Sequence, residues 1–87
     1  MEKFYIRYHI VGNRVVTDQR EFKSFAEAVS NVAKNLKKEV IGIVKNDGHV
    51  IEIQTKHITY HEVMDEEANK RENDIINLRH MVKSFTE

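Results

Sequence analysis

The sequence predicts an α+β domain of order ββαββα: a four-stranded, mainly antiparallel sheet, one helix packed on it, and a C-terminal amphipathic helix. Three observations carry this expectation. Apolar residues alternate with polar ones on both sides of two glycine turns, a capping box opens a helical apolar pattern between the two hairpins, and a second helical seam closes the chain. Sheet with helices to one side is the usual way such elements bury their apolar faces. The expected organisation is a hairpin–helix–hairpin unit over residues 1–64, followed by a helix over 65–87 that belongs to the same domain or serves as an oligomerisation arm.

The first hairpin turns at Gly12. Phe4, Ile6, Tyr8 and Ile10 fall on one strand face and Tyr5, Arg7, His9 and Val11 on the other. A two-residue Gly12-Asn13 loop would set Ile10 opposite Val15, Tyr8 opposite Thr17 and Arg7 opposite Asp18, joining apolar to apolar and cation to anion. That register leaves Gln19 and Glu21 on the apolar face, so it also predicts a bulge or fraying at the far end of the second strand.

Ser24-Phe25-Ala26-Glu27 reads as a capping box. Phe25, Val29, Val32 and Leu36, flanked by Ala28 and Ala33, then recur at the spacing of an amphipathic helix of about 14 residues. Lys34, Lys37 and Lys38 gather where the helix dipole favours positive charge. Val40-Ile41-Gly42-Ile43-Val44 is short, apolar and β-branched, the pattern of a strand covered on both faces. An Asn46-Asp47-Gly48 turn leads to Val50–Gln54, with Ile51 and Ile53 inward. Ile58 and Tyr60 break that alternation, so either a bulge near Lys56 shifts the phase or a separate strand starts at His57.

From Asp65 the texture becomes polar, with Glu66–Lys70 and Glu67–Arg71 placed for helical i,i+4 support. Ile75, Leu78, Val82 and Phe85 then form a seam, with Met81 beside it. The polar first half looks unsuited to close packing on a sheet, so this seam is expected to be a contact between copies in a homo-oligomer, dimer or larger.

Composition narrows the function classes. At 87 residues the chain is a single small domain, below the usual ~100–150. It carries 14 basic and 14 acidic residues and is 40% apolar, as expected of a folded, soluble chain. The absence of cysteine excludes disulfides, a thiolate nucleophile and a zinc–thiolate knuckle, and a reducing, cytoplasmic setting is the expectation. No apolar run approaches the ~18 residues of a membrane span, so no membrane partner is expected. Met1-Glu2-Lys3-Phe4 leads straight into patterned sequence with no secretory or lipidation motif.

Catalytic signals are weak. The three serines Ser24, Ser30 and Ser84 sit in no Gly-x-Ser-x-Gly elbow, and no glycines are spaced for a phosphate loop. His57 and His61 are four apart, which suits one ion on a helix but not on the strand their neighbours favour. No catalytic residue, metal site or cofactor is therefore assigned, and the chain reads as a non-enzyme.

Two binding readings follow. The first is a self-associating protein that binds and modulates or inhibits a macromolecular partner, with Ile75, Leu78, Met81, Val82 and Phe85 as the interface. The second is a binder of nucleic acid or of a small signalling nucleotide, using Tyr5, Arg7, His9 and Arg20 as a stacking and phosphate-binding platform. Residues 1–61 hold ten basic and seven acidic side chains, while 62–87 hold four and seven, so the β-rich part is mildly basic and the tail mildly acidic.

In its small size, its lack of cysteine and proline, its Lys/Asn/Ile-rich composition and its hairpin–helix–hairpin–helix plan, the chain resembles the small accessory and inhibitor proteins of bacteriophages. The resemblance covers the whole chain and implies binding to a host protein or sequestration of a small signalling molecule.

Overall fold

The computed structural model describes residues 1–45 and 48–75. Among these the order is β1 (Glu2–Ile10), β2 (Arg14–Phe22), α1 (Phe25–Asn35), β3 (Val40–Val44), β4 (Val50–Gln54), a 3-10 turn (Thr55–His57) and β5 (Ile58–Asp65). A second helix, α2, occupies 66–75. The class is α+β with antiparallel pairing, but the strands do not join one four-stranded sheet. They form a three-stranded sheet of order β2-β1-β5 and a separate β3–β4 hairpin. Of the two alternatives at the phase break after Gln54, the separate strand is found: the 3-10 turn resets the chain and β5 pairs with β1, not with β4.

β1 is central. Phe4, Ile6 and Tyr8 are sealed, at 1%, 0% and 1% exposure, and each such side chain stabilises the fold by roughly 1.5–3 kcal/mol. The β1–β2 register differs from the expected one by a single residue: Ile10 faces Arg14, Tyr8 faces Val16 and Arg7 faces Thr17. The turn takes three residues, 11–13, of which Gly12 and Asn13 adopt left-handed backbone, at φ 92° and 61°. That shift removes the misfit at the strand's far end. Gln19 and Glu21 move to the outer face, Phe22 turns inward, and pairing continues unbroken to Glu2–Phe22. It also places Asp18 beside Ile6 on the inner face, where it is only 8% exposed. The one irregularity of this sheet lies on the other side of β1, where the pairing with β5 slips between His9 and Ile10.

The serine half of the capping box forms, with Ser24 Oγ accepting from Glu27 N–H at 3.2 Å, while Glu27 Oε2 reaches one residue further back than expected and accepts from Lys23 N–H at 3.2 Å. α1 is 11 residues long, shorter than its apolar spacing suggested, and its buried line runs through Ala28 and Val32. Phe25 and Val29 lie on the flank, and the Phe25 ring reaches Phe4 at 6.0 Å between centroids.

β3 and β4 contribute Ile41, Ile43 and Ile53 to the same core as β1, β2 and α1. β3 is covered on one face only, contrary to the expectation of two. Its partner ladder is the single strand β4, and Val40 and Val44 point away from the core. Thr55 fastens this hairpin, its Oγ1 donating to Lys38 O at 2.6 Å and its N–H to Glu39 O at 3.0 Å.

α2 begins at a cap supplied by Asp65, whose Oδ1 accepts from Ala68 N–H at 2.7 Å. Its polar first half approaches the outer face of the three-stranded sheet, opposite to what polarity alone suggested. That face is itself polar, so Glu72 meets Arg7, and Met64 beneath is 8% exposed. Among the described residues no helix is long and apolar enough to cross a membrane.

Candidate functional site

The outer face of β1 brings Tyr5, Arg7 and His9 together, as their shared parity requires. Arg20 is not with them. It pairs with Phe4 and therefore belongs to the opposite face, where its Nη1 donates to Asn31 Oδ1 at 3.2 Å and its guanidinium lies 5.6 Å from the Phe22 ring centre. The expected four-residue platform is thus split by the sheet.

Three residues outside the expected platform complete the outer cluster: Tyr60, Glu62 and Glu72. Arg7 Nη1 stands 3.9 Å from both Glu62 Oε1 and Glu72 Oε1, with its side chain only 12% exposed. His9 Nε2 contacts Glu62 Oε1 at 2.6 Å, and the His9 ring stacks on Tyr60 with centroids 3.9 Å apart and planes within 10°. Two carboxylates thus neutralise the cationic centre that a phosphate would need, and a phosphate entering here would meet like charge. Tyr60 and Glu62 share a strand parity that sets them opposite His9 and Arg7, a signal present in the sequence once β5 is paired with β1.

His57 and His61 are both exposed, one in the 3-10 turn and one on β5. Among the described residues no group of three or more His, Asp or Glu side chains is arranged to hold a metal ion.

On the inner side of β2 lies a groove of ≈ 500 Å³. Asp18, Gln19 and Arg20 form one wall, Val40, Ile41, Gly42 and Val44 of β3 the other, and Asn31, Asn35 and Lys38 lie along it. Burial raises the Asp18 carboxyl above the ordinary carboxylate range, against the pull of Arg20 and Lys45. Burial likewise raises the Tyr8 phenol, reinforced by the Asp18 charge and opposed by Arg20. Lys45 Nζ donates to Thr17 O at 2.8 Å, bridging β3 and β2 at one end.

The outer face of the β3–β4 hairpin is open. At one end Val44 pairs with Val50, 74% and 57% exposed; at the other Val40, 45% exposed, pairs with Gln54, and Gly42 opposite Glu52 lies between them. Of the seam residues expected at an interface, Ile75 is 45% exposed, while Leu78, Met81, Val82 and Phe85 lie outside the described residues. No protein family, curated protein or solved structure matches the chain.

Proposed function

We propose that this chain is a small non-enzymatic binding protein that acts by occupying a macromolecular partner in a cytoplasmic setting, and that it associates with itself through its C-terminal helix. The observation that supports partner binding is the exposed valine pair of the β3–β4 hairpin. Val44 and Val50 face each other at one end of a two-stranded ladder whose other face is committed to the core. An exposed apolar pair on an open ladder is a contact that a partner protein can cover. A phage-type inhibitor of a host protein is the biological setting that composition and plan favour.

The test is affinity capture from host extract with wild type and with the Val44→Asp/Val50→Asp double variant, read by quantitative mass spectrometry. A partner held by wild type and lost by a folded double variant supports the reading. Equal capture by both, or none by either, sinks it. Self-association is checked separately by light scattering after size exclusion, where a monomeric mass at all concentrations removes that part of the proposal.

A further inference from the structure

β2 and β3 face each other across the groove without joining. Hardly any of their Cα atoms come within 8 Å of each other, well beyond the ~4.8 Å of one ladder, and at one end the Lys45 side chain spans the gap to Thr17 O. In an antiparallel pair, alternate residues bond to the partner strand and the residues between them turn N–H and C=O to the other side.

Two hydrogen bonds set that phase on β3: Thr55 N–H to Glu39 O at 3.0 Å and Lys45 N–H to His49 O at 2.9 Å. Ile41 and Ile43 therefore bond to β4, while Val40, Gly42 and Val44 direct their backbone groups away from it and towards the groove. On β2, Thr17 O accepts from Lys45 Nζ and so points away from β1, and Gln19 shares its phase. Both walls of the groove are thus rows of backbone donors and acceptors. Among the described residues the bond from Lys45 to Thr17 is the one hydrogen bond that links the two strands.

We infer that this groove takes an extended peptide segment of a partner protein as an added strand, bonded on one side to β2 and on the other to β3. The inference rests on the partner-binding reading above and names the chemistry of that partner. A strand with a ladder on each side must have both of its own edges free. That rules out β1 to β5 of a second folded copy, each already paired in a sheet, and favours a segment that is extended but unpaired before binding. Charge selects its side chains. Arg20 and Lys38 line the groove and Lys45 stands at its end, against the single carboxylate of Asp18, so the segment carries acidic residues at the alternate positions that face α1. On the opposite side Gly42 has no side chain, and a Cβ built there meets nothing within 4 Å, leaving room for β-branched neighbours.

The probe is a labelled Val-Glu-Val-Glu-Val-Glu peptide, with a version N-methylated at alternate amides and a Val-Lys-Val-Lys-Val-Lys version. Binding is read by anisotropy and by amide shifts in nitrogen-15 spectra. The expected result is shifts at Gln19, Val40, Gly42 and Val44, affinity at least tenfold above that of the lysine peptide, and loss on N-methylation. Arg20→Glu should weaken binding tenfold or more, and Gly42→Pro, which removes an edge donor that β4 does not use, should abolish it.

The inference is overturned if no edge amide shifts with any peptide, or if the N-methylated peptide binds as well. It is overturned too if the edge amides shift with protein concentration alone as the mass doubles, which would give the groove to a second copy. Partner capture that depends on Val44 and Val50 but persists in Arg20→Glu and Gly42→Pro would leave the binding reading standing and remove only the groove.

Discussion

Glu72 on α2 comes within 3.9 Å of Arg7 on β1, and this pair ties the C-terminal helix to the outer sheet face. The Arg7 side chain is 12% exposed and that of Glu72 44%, so the charge is half-screened and its contribution modest. Glu72→Gln is expected to cost under about 1 kcal/mol in urea unfolding and to reduce the salt dependence of stability. Arg7→Ala should cost more, about 1–2 kcal/mol, because it also strips the buried stem and leaves Glu62 without its cation. Equal effects of the two changes would mean that the arginine stem packs on nothing.

Asp18 predicts a stability difference that depends on pH. Its folded-state carboxyl titrates above the unfolded value, so the native protein holds this proton more tightly than the unfolded chain does. The contribution is therefore fully present below the unfolded value of ~3.9 and is lost as pH rises through the raised folded value. Asp18→Asn should stabilise the protein by on the order of 1 kcal/mol at neutral pH, with the gain vanishing below about pH 4. Denaturant titrations of both proteins at the two pH values check this, and a variant less stable at neutral pH would show that the carboxylate is a net stabiliser.

The turn between β1 and β2 should respond unequally to two small substitutions. Gly12 sits at φ 92°, so Gly12→Ala is expected to cost about 1 kcal/mol even though the new Cβ would meet nothing within 4 Å. Asn13 sits at φ 61°, where glycine is at ease, and Asn13→Gly should change stability by less than about 0.5 kcal/mol. Thermal melts of both variants provide the measurement, and equal losses would place the strain elsewhere.

Hydrogen exchange should divide β3 residue by residue. The amides of Ile41 and Ile43 bond to β4, whereas those of Val40, Gly42 and Val44 face the groove. The first set should exchange at least about tenfold more slowly than the second in the free protein. Uniform protection along β3 would mean that its outer edge is already paired.

Local chemistry was legible in the amino-acid order. The Ser24 cap, the parity of Phe4, Ile6 and Tyr8, the pairing of Val40–Val44 with Val50–Gln54 in a hairpin, and the helix beginning after Asp65 each depend on neighbours a few residues away. What the sequence left open depended on relations across the chain. One residue more in the turn, Val11 beside Gly12 and Asn13, shifted the β1–β2 register and carried Asp18 inward and Gln19 outward, because strand parity converts a single-residue slip into a change of face. That same parity separates Arg20 from Tyr5, Arg7 and His9. Only packing decided that β5 rather than β4 would lie beside β1, bringing Tyr60 and Glu62 onto His9 and Arg7. It also left β2 and β3 in separate sheets, since strand pairing over long sequence separation is set by how whole faces bury and not by the residues of either strand.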